Sequence, residues 1–259
     1  MRYFKATVEY DGTDFSGFQW QHEIRTVQGE LEKALAYRIE SPVRVTGAGR
    51  TDSGVHAMGQ VVSFAAETRI PCDKMSLALN GVLPSDLSIR QVTETEPDFS
   101  ARFSASSRLY GYLILNRSEP SALWRRYSAF CPQPLNIEAM QAAANYLPGE
   151  QDFASFAKET KPGETTMREI ISCRVFPWKN MAFVRIEANA FLRGMVRAIV
   201  GTLIEVGTGK RDADSIPSVI ASRDRSAAGF AAPARGLCLL KVRYGERRVY
   251  ARKEITEEQ

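Results

Sequence analysis

A glycine-rich loop lies between two β-type segments in VRVTGAGRTDSGVHAMGQVVSF, from Val43 to Phe64. Val43 to Thr46 and Gln60 to Phe64 are rich in β-branched residues, which predicts two strands. The glycines between them permit positive φ angles and let another backbone approach closely. A loop held between two strands can project a carboxylate into a cleft, and Asp52 is the carboxylate at its centre. A plain polar turn would also suit Thr51 to Gly54, because Asp, Ser and Gly are ordinary turn residues.

The order of predicted elements around this loop is β-α-β-β-α-β, and it occurs twice. In the first half, periodicity predicts further elements at Tyr3–Tyr10 (strand), Val27–Ile39 (helix, with Thr26 as N-cap), Asp73–Val82 (helix) and Leu87–Val92 (strand). In the second half, it predicts strands at Leu109–Leu115, Ile170–Phe176, Met181–Glu187 and Leu237–Val242, and helices at Ile137–Leu147, Phe191–Val206 and Asp214–Ser222.

Two such units predict an α+β fold made of two ferredoxin-like β-α-β-β-α-β halves. We place the first half at residues 1–104, with the Asp52 loop, and the second at residues 105–245, completing the active site. A charged tail follows at residues 246–259. We expect the two antiparallel sheets to join into one extended sheet, since that hides edge strands. A cleft would then lie at the centre.

Composition restricts the class of protein. The chain of 259 residues is 44% hydrophobic and 25% charged, which is ordinary for a globular protein. Its net charge of +4 is compatible with an RNA partner but does not require one. The most apolar region, Ala182 to Val206, is interrupted by charged residues, so we expect no membrane span. The N-terminus lacks a signal-peptide layout, which favours the cytoplasm.

We expect neither a metal nor a cofactor. The cysteines are far apart without a C-x-x-C pair, and the two histidines, His22 and His56, are distant from each other. The sequence also contains no P-loop and no dinucleotide-binding fingerprint.

The chain resembles the tRNA pseudouridine synthase A family in a series of ordered motifs. These are Y-D-G-x-x-F-x-G-x-Q-x-Q at Tyr10–Gln21, G-R-T-D-x-G-V-H-A at Gly49–Ala57, A-R-F-S-A at Ala101–Ala105, R-x-Y-x-Y at Arg108–Tyr112, D-F-x-S-F at Asp152–Phe156, N-A-F-x-x-x-M-V-R-x-I-V-G-T-L at Asn189–Leu203, and A-P-A-x-G-L at Ala232–Leu237. The resemblance covers nearly the whole chain up to about Gly245.

The resemblance implies a role for each matching residue. Asp52 corresponds to the catalytic nucleophile, and Tyr110 to the tyrosine that packs against the target base. Arg197 corresponds to the arginine that pairs with the catalytic aspartate. Arg50 corresponds to the arginine that holds the flipped nucleotide, and Leu237 to the apolar wall beneath the uracil.

The implied reaction converts uridine to pseudouridine at positions 38, 39 and 40 of the tRNA anticodon stem-loop. The implied enzyme is a homodimer, and one tRNA contacts both subunits within the RNA clefts. Uracil leaves C1′, rotates and rejoins through C5, so no cofactor is needed. Burial disfavours a charged carboxylate whereas a nearby arginine favours it, so an Asp52–Arg197 pair would keep the nucleophile ionised. Whether Asp52 attacks the sugar or first removes a proton from C2′ stays open.

Other interpretations remain open. His56 either braces the loop or acts as a general acid or base. Arg193 lies four residues before Arg197, on the same face of the predicted helix, and is either functional or a surface residue. Gly111 stands where the family often has a basic residue, so a phosphate contact is expected to be missing. As a whole, the chain could instead be a non-catalytic RNA-binding module; a hydrolytic nucleosidase is disfavoured because it needs two carboxylates.

Overall fold

The N-terminal half of the chain forms an antiparallel sheet with two helices. The structure, a computed structural model, describes residues 1–159, 163 and 165–245, so the predicted tail at 246–259 lies outside the described residues. The elements are β1 (Arg2–Tyr10), α1 (Val27–Ile39), β2 (Thr46–Gly47), β3 (His56–Ala66), α2 (Cys72–Asn80) and β4 (Leu87–Glu94). Their spatial order is β4-β1-β3, with the short β2 also paired to β3, which is the ferredoxin-like arrangement.

The C-terminal half repeats this arrangement with additions. Its elements are β5 (Ala105–Asn116), β6 (Ala129–Cys131), α3 (Ile137–Ala144), β7 (Gly149–Asp152), β8 (Met167–Trp178), β9 (Met181–Ala188), α4 (Met195–Gly207), α5 (Ile216–Ser222) and β10 (Leu237–Tyr244). The order β10-β5-β9-β8 matches that of the first half, while β7 extends the edge and β6 pairs with β5. Two ferredoxin-like halves are therefore confirmed; the division between residues 104 and 105 stays a prediction.

The strand β10 joins the two halves into one sheet. It runs antiparallel to β5 over its length and parallel to β3 at two residue pairs, Cys238 with His56 and Leu239 with Ala57. The extended sheet expected from the sequence is thus confirmed, although the contact between the halves is parallel and short.

Helix α1 shows how the sequence pattern builds the core. Thr26 caps the helix, because its hydroxyl accepts a hydrogen bond from the backbone N–H of Gly29 at 3.2 Å. Val27, Leu31 and Leu35 are spaced one turn apart and are all buried. Among the described residues, no helix is both long and apolar enough to cross a membrane.

The strand predicted at Val43–Thr46 was wrong in most of its length. The N–H of Val45 donates to the carboxylate of Glu32 at 3.0 Å, and its carbonyl accepts from the side-chain amide of Gln28 at 3.1 Å. Side chains of α1 therefore form hydrogen bonds with the backbone groups that a strand would use for pairing. Pairing is confined to Thr46–Gly47.

The helix predicted at Phe191–Val206 was also wrong at its start. The helix α4 begins at Met195, directly after Gly194, whose φ of +73° is left-handed. Arg193 therefore precedes the helix and does not share a helical face with Arg197.

The joint between β10 and β3 depends on Gly59. A Cβ atom at this position would lie 2.4 Å from the carbonyl oxygen of Leu240, which is closer than packing permits. We expect Gly59→Ala to lower the free energy of unfolding by about 1–3 kcal/mol through overpacking. Thermal unfolding should show a fall of about 2–4 °C for each kcal/mol.

Gly81→Ala is the matched control, because a Cβ there would lie 3.2 Å from the flexible end of Arg38 and at ordinary contact distances, 3.6 and 3.7 Å, from the carbonyl oxygens of Ala78 and Leu77. We expect a change within about 0.5 kcal/mol. Equal free energies of unfolding for the two variants would show that the sheet accommodates a Cβ at position 59 without loss of stability.

Candidate active site

The loop that carries Asp52 is fastened on both sides by backbone hydrogen bonds. The N–H of Ala48 donates to Val61 of β3 at 2.8 Å, and the N–H of Phe18 donates to the carbonyl of Thr51 at 3.0 Å. The hydroxyl of Ser53 donates to the carbonyl of Phe15 at 3.1 Å. The loop is therefore a defined support for a side chain, unlike a free polar turn.

A buried polar network lies directly beneath the loop. The hydroxyls of Tyr10 and Thr51 are 2.8 Å apart, and the side-chain amide of Gln60 donates to the carbonyl of Gly49 at 2.8 Å. Burial, partly offset by hydrogen bonds from Thr51 and Gln60, raises the pKa of Tyr10 to about 12, so its hydroxyl stays protonated. The network fixes the backbone on either side of Arg50.

Asp52 and Arg197 come together at the site, as the resemblance implies. An Oδ atom of Asp52 lies 3.5 Å from Nη1 of Arg197, and the two side chains are 32% and 24% exposed. The Nε of Arg197 donates to the carbonyl of Ala232 at 2.7 Å, and the N–H of Ala232 donates back to Arg197 at 2.9 Å. The guanidinium is thus aimed by the A-P-A-x-G-L segment, and the carboxylate keeps an accessible side.

Tyr110 is a buried aromatic residue near this pair, close enough for the charge of Asp52 to act on its hydroxyl. It lies on β5, is 7% exposed, and its ring meets the ring of Phe191 edge to face, with centroids 5.2 Å apart. Burial raises the pKa of Tyr110, and the charge of Asp52 acts in the same direction. The hydroxyl therefore stays protonated at neutral pH.

Leu237 and Arg50 take different positions around this centre. Leu237 is buried at the start of β10, opposite Tyr112 of β5 in the sheet register. Arg50 is exposed and, within the described part of the chain, makes no hydrogen bond or ion pair. Its guanidinium is therefore available to a ligand two residues from Asp52.

His56 joins the loop to both halves of the protein. Its Nδ1 accepts a hydrogen bond from the N–H of Gly12 at 3.0 Å, so Nε2 carries the proton and donates to the carbonyl of Arg126 at 2.9 Å. The carbonyl of Arg235 lies 3.2 Å from the same nitrogen. The carboxylate of Asp11 is 3.2 Å from Nδ1, but the Gly12 bond requires an unprotonated nitrogen there. This geometry supports the bracing interpretation.

We expect His56→Ala to lower the free energy of unfolding by about 2–3 kcal/mol, because it leaves buried backbone groups unsatisfied. Urea denaturation measures this loss. The exposed His22 provides the control, and His22→Ala should leave the urea midpoint unchanged. A wild-type midpoint for His56→Ala would show that the three backbone contacts do not stabilise the fold.

Two sequence interpretations concern residues outside the centre. Arg193 is exposed and pairs with Glu159 at 3.2 Å, whereas Arg197 is the arginine that pairs with Asp52. Gly111 faces the other side of the sheet from Tyr110, where a Cβ would lie 2.6 Å from the ring of Phe183. A basic side chain at 111 therefore does not fit this packing. Among the described residues, no three His, Cys, Asp or Glu side chains are grouped as for a metal ion.

Comparisons with known proteins show the family of the chain. The sequence model of the tRNA pseudouridine synthase family matches residues 6–104 and 143–245. Proteins named tRNA pseudouridine synthase A from Ruminiclostridium cellulolyticum and Caldicellulosiruptor bescii are 44% and 42% identical to the chain. Each alignment covers 94% of this chain and 100% of the relative. The chain belongs to the tRNA pseudouridine synthase family.

A solved structure of a Cbf5–Nop10–Gar1 complex is similar over 78% of this chain, with 14% identity and a TM-score of 0.37. This chain spans 45% of the matched chain in that complex. The family assignment rests on the sequence relatives alone.

As a tRNA pseudouridine synthase, the protein is an isomerase. That assignment disfavours the non-catalytic RNA-binding module. The residues that the sequence did not single out are Tyr10, Gln60 and Arg108, whose contacts support the loop. Tyr10 and Arg108 do lie in motifs shared with the family, at Tyr10–Gln21 and Arg108–Tyr112.

Proposed function

We propose that this enzyme isomerises uridine to pseudouridine at positions 38, 39 and 40 of the tRNA anticodon stem-loop, with Asp52 as nucleophile. The observation that carries the proposal is the contact of Asp52 with Arg197 beside the buried ring of Tyr110. The cation favours the ionised carboxylate, and ionisation is what a nucleophile needs.

The reaction requires the target uridine to leave its stack. A stacked nucleotide hides its glycosidic bond, so the enzyme extrudes the base and fills the gap. The exposed Arg50 is suited to this task, since a planar guanidinium stacks on bases and binds phosphate. The extruded uracil then packs against Tyr110, with Leu237 as the wall beneath it.

The atoms balance without a second reactant. As the bond from N1 to C1′ breaks, the carboxylate of Asp52 bonds to C1′. The detached uracil turns, and its C5 then displaces the carboxylate and forms the new bond to C1′. The hydrogen on C5 is lost to solvent, and N1, freed from the sugar, gains one. Tyr110 stacks on the base, and burial keeps its hydroxyl protonated in the enzyme without substrate.

The proposal also includes a homodimer in the cytoplasm, with one tRNA contacting both subunits. On the outer face of the C-terminal sheet, Phe176 and Trp178 remain 42% and 47% exposed. These two aromatic side chains lie on one sheet face, and association through this face would cover them. Light scattering should give twice the mass of one chain at assay concentrations; the mass of a single chain would exclude the dimer.

The test is release of tritium from tRNA labelled at C5 of uridine, without added metal or cofactor. Formation of the C5–C1′ bond must release the label to water. A tRNA with uridines at 38, 39 and 40 is compared with one in which only these positions are cytidine. We expect release from the first substrate alone.

Release from both substrates would move the target away from positions 38 to 40. If neither substrate released tritium although both bound tightly, the proposed isomerisation in the anticodon stem-loop would be excluded.

A further inference from the structure

The guanidinium of Arg108 is enclosed by backbone carbonyl groups. Nε and Nη2 approach the carbonyl oxygen of Ala48 at 3.3 and 2.9 Å, and Nη2 also donates to Arg102 at 2.6 Å. Nη1 donates to Ala105 at 3.1 Å and to Asn189 at 2.8 Å. Five hydrogen bonds thus connect one side chain to four carbonyls. This arrangement uses the planar, five-donor geometry that only arginine has.

The charge of Arg108 has no carboxylate partner among the described residues. Burial lowers the pKa of Arg108, although arginine remains protonated in proteins. The carbonyl dipoles alone therefore stabilise a partly buried cation. Such a cation is expensive to bury, so a specific role is expected for it.

The four carbonyls belong to the segments that form the active site. Ala48 begins the loop that presents Asp52. Arg102 lies in the connection between the two halves, and Ala105 begins β5. Asn189 directly follows β9 and starts the segment that leads to Phe191, which packs on Tyr110, and then to α4.

The backbone of Asn189 is itself fixed. Its N–H donates to the carbonyl of Glu169 at 3.0 Å, and its side-chain oxygen accepts from the N–H of Glu169 at 3.1 Å. Arg108 therefore attaches the Asp52 loop to a firm point of the C-terminal sheet, two residues along β5 from Tyr110.

We propose that Arg108 is a positioning residue, which holds the Asp52 loop at the distance from Arg197 and Tyr110 that the reaction needs. The inference rests on the proposed role of Asp52. Arg108 acts through the carbonyl of Ala48 and does not contact the substrate. A shift of about 1 Å at a reacting group can reduce the rate about 100-fold, so the loop position controls turnover.

The experiment is Arg108→Lys, which keeps the charge but replaces the five-donor fork by a single ammonium. Arg108→Gln is a second variant, which keeps a planar group without charge. Arg69→Lys, at an exposed position between β3 and α2, is the matched control. For each protein, we would measure kcat by tritium release, the Kd for unmodified tRNA, and amide hydrogen exchange in residues 48–54.

We expect Arg108→Lys to lose about 100-fold in kcat. Its Kd for tRNA should stay within about twofold of wild type, while exchange in residues 48–54 becomes faster. Arg69→Lys should match the wild type in all three. A variant that had only lost stability would show the same fractional loss of activity and of tRNA binding, whereas a displaced loop lowers kcat alone.

Three results would overturn the proposal: wild-type kcat in Arg108→Lys, a parallel fall in kcat and tRNA affinity, or reduced kcat with unchanged loop exchange. Failure of both variants to fold would also overturn the proposal, since the hydrogen bonds of Arg108 would then be needed for folding as a whole. An inactive wild-type enzyme would instead contradict the proposed function, so the two failures can be told apart.

Discussion

The Asp52→Asn variant is expected to lose turnover by about 10⁴-fold or more, the scale on which enzymes lose activity with their nucleophile. Asparagine keeps nearly the same shape but has neither the charge nor the nucleophilicity of the carboxylate. The loop is held by its backbone and by Thr51 and Ser53, so its conformation should persist. Tritium release measures the turnover, and filter binding measures the Kd for tRNA, which should not rise.

Asp14→Asn is the matched control, because Asp14 is an exposed carboxylate on the neighbouring loop. We expect it to retain wild-type kcat. Steady turnover by purified Asp52→Asn at more than a few per cent of wild type would remove Asp52 from the nucleophile role.

The Arg197→Met variant is expected to lose about 10²–10³-fold in kcat, which is typical when one group that stabilises charge at a reacting centre is removed. Methionine fills the space without supplying a charge, so Asp52 loses the cation at 3.5 Å and Ala232 loses its donor. Single-turnover tritium release is the best measurement, since it separates the chemical step from product release.

Arg193→Met is the control for this prediction. Both arginines belong to the same motif and differ by four positions, but Arg193 pairs with the exposed Glu159 and not with Asp52. We expect kcat to be unchanged and tRNA affinity to fall by tenfold at most. Equal losses of kcat in the two variants would show that positive charge near the cleft matters and the specific pair does not.

The fold was predictable where a side-chain period describes the element. Helix α1 follows from apolar residues spaced one turn apart and from its Thr26 cap, and the structure has the same bounds of Val27–Ile39. Prediction failed at Val43–Val45, because side chains from α1 take the backbone groups there. It failed again at Phe191–Gly194, where a positive φ at Gly194 delays the helix. Both errors arise from features that the spacing of apolar residues does not encode: tertiary hydrogen bonds in the first case and a backbone dihedral angle in the second.

The candidate site was predictable in part for a different reason. Resemblance to a family pointed to Asp52, Tyr110 and Arg197, and the structure places these three side chains together. It could not indicate the role of Arg108, because the partners of that side chain are backbone carbonyls. Every residue has a backbone carbonyl, so the sequence does not show which carbonyls Arg108 binds. The hydrogen bonds can be identified only from the folded structure.

The position of β10 has a consequence for synthesis on the ribosome. Chains fold from the N-terminus as they emerge. The Asp52 loop, Tyr110 and Arg197 have all left the ribosome before the segment Leu237–Tyr244, which fills the gap between β3 and β5. Until then, two strand edges face each other without a partner, and such edges invite pairing with other chains. A nascent chain therefore holds Asp52, Tyr110 and Arg197 in an unfinished, aggregation-prone state until β10 joins the two halves of the sheet.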